Sequence, residues 1–365
     1  MVEFVPFSIL LDGEILSLLE AISRQQGELS AHRHRIQDET SLDSAAVVDA
    51  VYFSTKIEGN SLSREQVTQA LESGKVKAPA RDLREVLNYS RARRMVREWS
   101  LKGRPFNDRW VLQHHLELLK GIVSGRLRGR YREAQCAVKD SRTHAIVYMA
   151  PEWRDVPALM KAFLSWARQQ RTAGASPVLL AAQFHFEFVT IHPFMDGNGR
   201  LARLLTNGIL TAGGYDVERY AAIEKQHEKD RGAYYRTLRS LQADNYYDIP
   251  PGQNIRAWAV YWLRCLLGAY EEALTRLAGT AAAAPSLHSL SWAPSLDDRL
   301  QRAESMFRRH HKLRASEYAE LAGLARTQAV ADLNALLKAG VLERVGGGRS
   351  TVYRLKAAER SPRKP

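Results

Sequence analysis

Apolar residues recur at helical spacing along most of this chain, and the pattern predicts a mainly α fold. Between about Ser8 and Arg33, Leu10, Leu11, Ile15, Leu18 and Leu19 mark a first helix. A second runs from about Leu42 to Glu58 with Val47, Val48, Val51 and Phe53 apolar, and Gly59-Asn60 stops it. Ser61 or Ser63 caps a third over Arg64–Ser73, and Leu83, Val86, Leu87, Met95 and Trp99 carry a longer one over Arg81–Arg104. Asn107 to Ile122 reads as the next, followed by a basic stretch that Gly121, Gly125 and Gly129 punctuate as a loop. Ala137-Val138 and Ala145-Ile146-Val147-Tyr148 are short β-prone runs that predict a hairpin. Helix then resumes at Met149-Ala150-Pro151-Glu152, opens again at Pro177, and returns from Gly199 with Leu201, Leu204, Leu205 and Ile209 on one period. Short helical segments reach about Ala243, and Ile255–Ala278 is strongly apolar.

Length and composition change this picture only in part. At 365 residues the chain should hold two or three domains. Ala278 to Pro294, with four consecutive alanines before Pro285, reads as a linker or loose helix end. The expected division is 1–104 as an N-terminal helical region, 105–278 as a core, 279–295 as linker, 296–356 as a small C-terminal module, and 357–365 as a basic tail. Cys136 and Cys265 lie far apart with no metal-ligand spacing, which fits a reducing compartment. The first residues lack a basic region followed by an apolar core, and no run of about 18 apolar residues occurs. The expectation is a cytoplasmic protein without a membrane partner. Net charge is +13, and +7 of it falls between Asp297 and Pro365. A basic balance favours nucleic acid, phosphate-rich ligands or acidic surfaces without choosing among them.

The chemistry concentrates in Ile191-His192-Pro193-Phe194-Met195-Asp196-Gly197-Asn198-Gly199-Arg200-Leu201-Ala202-Arg203. Pro193 keeps His192 out of helical geometry. Gly197 and Gly199 allow close approach of backbone N–H groups to a ligand. The start of the following helix is an anion site, and Arg200 and Arg203, three residues apart, project from one face of it. Two guanidiniums at a helix N-terminus suit a polyphosphate. Asp196 beside them suits Mg²⁺, which takes a carboxylate plus phosphate oxygens. His192 is a candidate general base.

This stretch resembles the signature of the Fic family, His-Pro-Phe-x-(Asp/Glu)-Gly-Asn-Gly-Arg-x-x-Arg, at every specified position. Gly129-Arg130-Tyr131-Arg132 resembles the lead-in to the same core. Ser54-Thr55-Lys56-Ile57-Glu58-Gly59 resembles the family's inhibitory motif, (Ser/Thr)-x-x-x-Glu-(Gly/Asn). Asp230-Arg231-Gly232-Ala233-Tyr234-Tyr235 resembles a stretch written Asn-Arg-x-x-Tyr-Tyr near the adenine, with Asp230 in place of Asn. An ionised Asp accepts hydrogen bonds but cannot donate them.

The resemblance implies a helical bundle with a hairpin flap that holds a target by strand addition. It implies protein adenylyltransferase activity: AMP moves from ATP to a Tyr, Ser or Thr hydroxyl of a protein, sometimes the enzyme itself. On that basis His192 is catalytic and Asp196 holds Mg²⁺. Gly197, Asn198, Gly199, Arg200, Leu201, Ala202, Arg203, Asp230, Tyr234 and Tyr235 bind ATP. Ser54, Glu58 and Gly59 inhibit, with Glu58 competing against the γ-phosphate for Arg203. Glu58 positioning a water, so that AMP is removed, is the converse activity, and toxin action on a target is a third reading. Homodimerisation is an expectation from relatives. His185 and Glu187, next to the motif, read as core or rim residues more readily than as supports of the site.

The C-terminal module differs in character. A basic helix over Leu296–His310, helical patterns over Ala315–Leu324 and Arg326–Ala339, and a hairpin of Val341–Val345 with Ser350–Leu355 resemble a winged helix-turn-helix. In such a fold Arg326, Thr327 and Gln328 open the recognition helix and Arg349 sits in the wing, where they reach DNA bases and phosphates. The alternative function is therefore a DNA-binding regulator that uses the rest of the chain as a nucleotide sensor.

Overall fold

Helix α7 (Pro177–Ile191) is apolar almost all round, and twelve of its fifteen residues are buried, as expected for a helix with no solvent face. The computed structural model that shows this describes residues 3–32, 39–139, 145–282, 307, 312–322, 326–338, 341–346 and 351–356. The chain forms two units, divided after Ala284. In the first, α7 is flanked by α6 (Val156–Thr172), α8 (Asn198–Ala212) and α11 (Arg256–Ala282). Helix α8 also packs on α4 (Ala80–Leu101) through Gly208, where a Cβ would lie 2.6 Å from Val96. Helix α1 (Gly13–His32) lies along α11, and α2 (Glu39–Ile57) is held by α3 (Arg64–Ser73), α4 and α9 (Ile223–Lys229). The α3 N-terminus carries a full capping box of Ser63 and Gln66.

Several boundaries move from their expected places for visible reasons. Helix α1 begins at Gly13 rather than Ser8 because the preceding segment bonds elsewhere. Phe7 N donates to Glu187 at 2.7 Å, Ser8 N to Gln253 O at 3.0 Å, and Ile255 N to Ser8 O at 2.8 Å. Helix α5 (Asp108–Leu118) stops short of Ile122 because the Asn88 side chain takes the Leu118 and Lys120 carbonyls. Helix α6 starts at Val156, not at Met149–Glu152. Met149 belongs instead to a hairpin of β1 (Ala137–Lys139) and β2 (Ile146–Met149), antiparallel with Ala137 opposite Met149 and a register shift after Val138. The residues joining these strands lie outside those described.

The second unit has its own small core of Phe307, Leu313, Tyr318, Ala329, Leu333, Leu336, Leu342 and Tyr353. Helices α12 (Ala315–Ala322) and α13 (Arg326–Lys338) precede strands β4 (Leu342–Val345) and β5 (Val352–Leu355). A short strand β3 (Lys312–Leu313), which sequence patterning misses, pairs with β5 to give the order β3-β5-β4. Two residues carry no periodicity to read. Apart from the buried Phe307, the expected basic helix over 296–310 lies outside the described residues, as do most of the linker and the tail.

Candidate active site

Helix α7 ends on His192, whose φ of 50° makes it the one non-glycine residue with positive φ among those described. That conformation costs about 1 kcal/mol or more for an L-residue. Arg132 holds it in place: its Nε donates to the His192 carbonyl at 2.9 Å and its amide to the Pro193 carbonyl at 3.0 Å. The remaining Arg132 nitrogens reach the Ala134 and Pro151 carbonyls, so this one side chain ties the loop to the hairpin. His192 Nδ1 lies 3.1 Å from the Val189 carbonyl. A carbonyl only accepts, so Nδ1 carries the proton and Nε2 keeps the lone pair. Burial pulls the ring below the ordinary histidine pKa, leaving it neutral at pH 7.

The loop between α7 and α8 is closed from inside. The Asn198 side chain donates to Phe194 O at 2.8 Å and accepts from Phe194 N at 3.0 Å. Phe194 stacks on His115 with ring centroids 3.6 Å apart. His115 accepts from Gly129 N through Nδ1, so its Nε2–H donates to the Asp196 carbonyl at 3.1 Å. Burial lowers His115 to about 4, which keeps it in that neutral form. Gly197, at φ 83°, caps α8, and the Leu201 amide makes the first intrahelical bond to Gly197 O.

Both signature arginines are engaged by acids from the N-terminal helices. Arg203 is almost fully buried, with Nη2 2.8 Å from Glu58 Oε1 and 2.9 Å from the Ser54 carbonyl, and Nε 2.9 Å from Ser54 Oγ. Burial, the largest single influence, would depress its pKa, but Glu58, Tyr234 and Tyr89 together more than offset this and hold it above the usual arginine value. Gly199 makes room for the contact: a Cβ there would sit 2.5 Å from Glu58 Oε1. Arg200 bonds Asp196 at 2.8 Å and lies 3.2 Å from Glu85 Oε1, while Glu85 Oε2 accepts from Asn60, two residues after Glu58. Gly59, at φ 94°, turns the chain between them.

The remaining expected residues separate into two groups. Tyr234 is buried against Arg203 and its hydroxyl lies 3.0 Å from His185 Nε2. Tyr235 is 40% exposed. The Asp230 carboxylate caps α10 (Arg231–Arg239) by accepting from Ala233 N at 2.7 Å, a task an acid performs as well as Asn. Leu201 and Ala202 are buried in the core, so their side chains offer nothing to a ligand. Asn198 likewise uses its side chain on the loop. Ser54 is fully buried on Arg203. In the second unit Thr327 is exposed at the start of α13, beside Arg326 and Gln328, whereas Arg349 lies outside the described residues.

Glu85, His115 and Arg132 also shape the site, and sequence reading does not single out their contacts. Glu85 is one acid among many on a helix without a strong apolar face. His115 looks like any helical histidine. Arg132 lies in a quoted motif whose reach to His192 only folding reveals. Among the described residues no group of three or more His, Cys, Asp or Glu could hold a metal. The lone Asp196 carboxylate, 35% exposed in its side chain, suits a cation that draws its other ligands from phosphate and water.

A neutral histidine, a carboxylate and two arginines gather around one helix start on a helical scaffold, an arrangement chemically suited to an anion. Residues 105–210 match the family model described as Fic/DOC family. Residues 307–356 match the model described as the C-terminal domain of the transcriptional regulator DIP2311-like family. The chain is 31% identical over 213 residues to a protein named Protein adenylyltransferase Fic from Aedes aegypti, covering 57% of this chain and 39% of that protein. Its identity to the protein of the same name from Nematostella vectensis is 32% over 205 residues, covering 55% and 44%. The chain thus spans less than half the length of these curated relatives. The fold matches a Fic family protein from Desulfovibrio desulfuricans G20 with a TM-score of 0.64 at 23% identity, covering 98% of this chain and all of that one.

Proposed function

We propose that this chain is a protein adenylyltransferase that moves AMP from ATP to a Tyr, Ser or Thr hydroxyl of a protein, and that Glu58 holds it inactive. The observation that carries this reading is the placement of His192, Asp196, Arg200 and Arg203 around the start of α8, supported by relatives that bear the activity in their names. In this scheme His192 Nε2 takes the hydroxyl proton while the hydroxyl oxygen bonds to the α-phosphorus. The α–β bridging bond breaks and pyrophosphate leaves. Backbone groups of Gly197, Asn198 and Gly199 receive the phosphates, and Arg200 and Arg203 hold the β- and γ-phosphates. Asp196 would hold Mg²⁺, which supplies charge neutralisation on the phosphates. Most of the rate gain comes from position and from charge arranged in advance. With Glu58 on Arg203, the γ-phosphate lacks its guanidinium.

The test is intact-mass spectrometry of Glu58→Gly protein incubated with ATP and Mg²⁺, with Glu58→Gly/His192→Ala as control. The expected result is a gain of one AMP, on the chain itself or on a protein in added lysate, that the control lacks. No nucleotide transferred to either would overturn the reading.

For the second unit, the match of residues 307–356 to a transcriptional-regulator domain supports a DNA-docking role for the start of α13. Binding of DNA that weakens steeply with salt and is lost on Arg326→Ala would bear this out.

A further inference from the structure

A small cavity beside Arg203 is lined by His185, Arg203, Thr206, Asn207, Glu224 and His227, among others. Three buried polar atoms of its lining residues have no protein partner: Arg203 Nη1, His185 Nδ1 and Glu224 Oε2. Buried polar atoms are rarely left so, and a cavity of this size has room for about one water. The bonding pattern suits a water. His185 Nε2 lies 3.0 Å from the Tyr234 hydroxyl, which can donate or accept, so Nδ1 offers a water either a lone pair or a proton. A water can accept from Arg203 Nη1, donate to Glu224 Oε2 and pair with His185 Nδ1 in either sense.

Glu224 is fixed from its other oxygen. Oε1 accepts from Tyr89 Oη at 3.0 Å and from Asn207 Nδ2 at 3.0 Å. The residue is 1% exposed, and it is the one acid lining the cavity. Arg203 is just as deeply buried. If Glu58 withdraws to admit a nucleotide, the guanidinium loses its only ion pair among the described residues. A buried charge without a partner is strongly disfavoured.

We infer that Glu224, acting across a water held in this cavity, is the positioning residue for Arg203: it supplies the counter-charge that keeps the guanidinium in place once Glu58 has left. The inference rests on the transferase reading only in assigning Arg203 work to do after that withdrawal. Glu224→Gln is a mild probe, because the amide oxygen can still accept from Tyr89 and Asn207 while the NH₂ removes the charge facing Arg203.

The experiment is a double-mutant cycle in full-length Glu58→Gly protein, combining Glu224→Gln with Arg203→Met and following urea unfolding by tryptophan fluorescence. The two changes should couple by about tenfold or more in the unfolding equilibrium, and coupling below about twofold would overturn the inference. In the same background, Glu224→Gln should raise the KM for ATP about tenfold with kcat within about threefold. Tyr89→Phe, which loosens the carboxylate but keeps its charge, should cost clearly less than Glu224→Gln on both readouts. An equal loss in Tyr89→Phe would assign the effect to packing and sink the proposal. A Glu58→Gly parent that transfers no AMP would count against the transferase reading, and the unfolding cycle would still decide for or against Glu224.

Discussion

Glu58 Oε1 lies 2.8 Å from Arg203 Nη2, although 145 residues separate them in the chain. The pair joins a half-exposed acid at the end of α2 to a buried guanidinium one turn into α8. Glu58 is displaceable because it retains access to water, whereas Arg203 is not. On the proposed function, a phosphate oxygen arriving at the same nitrogen would replace one anion with another and keep the charge balance of the buried site.

Ser54 shares this latch, donating nothing to Glu58 but taking Arg203 Nε with its hydroxyl. Ser54→Ala removes one hydrogen bond to a charged group, about 1.5–3 kcal/mol. Basal self-labelling should rise, by less than in Glu58→Gly, when both are compared by intact mass under one set of conditions. Equal activity in Ser54→Ala and wild type would show that Glu58 needs no help.

Gly199 has ordinary backbone angles, so only space restricts it. An alanine methyl collides with Glu58 Oε1 and must expel it or shift the helix. Gly199→Ala should therefore lower stability by about 1–3 kcal/mol in the wild type. The loss should shrink in the Glu58→Gly background, where the colliding atoms are gone. Thermal melts of the four proteins check this, and equal losses in both backgrounds would place the collision elsewhere.

His192 should act as a base over a wide range. Its pKa lies below the usual histidine value because the ring is buried, so the neutral form dominates from neutral pH downward until that lowered pKa is reached. In Glu58→Gly protein, kcat/KM should stay flat from about pH 8 to 6.5 and fall only at lower pH. A midpoint at or above the ordinary histidine value would contradict this geometry.

Glu187 offers a stability test away from the site. Burial raises its carboxyl to about 8, and its Oε1 accepts from the Phe7 amide. The folded pKa stands above the unfolded one, so the folded chain holds a proton that the unfolded chain releases. Its contribution is fully present below about pH 4.5 and is lost as pH rises through about 8. Glu187→Gln should thus gain stability relative to wild type as pH increases, by a few kcal/mol at pH 8.5. Urea midpoints across that range measure it, and a pH-independent difference would refute it.

Much of the first unit and the motif can be read from the chain alone, because both are local. Helical periodicity marks α2, α3, α7 and α8 to within a few residues, and the glycines and arginines of the loop sit within twelve positions. The pattern of Ser54 to Glu58 is local as well, so Glu58 can be singled out before its partner is seen. What only the tertiary structure decides is contact across the chain. It sets Glu58 on Arg203, Glu85 on Arg200 and Arg132 under His192, and brings Glu224 and Arg203 to the lining of one cavity. It also ends α5 by the Asn88 side chain and delays α6 by pairing Met149 in a strand. No periodicity records such contacts, since they arise when separate helices bury their faces against one another and leave particular polar atoms within reach. Asp230 shows the converse. Its departure from the family pattern raises a question of base recognition in sequence, and the fold adds a helix-capping role that sequence does not show.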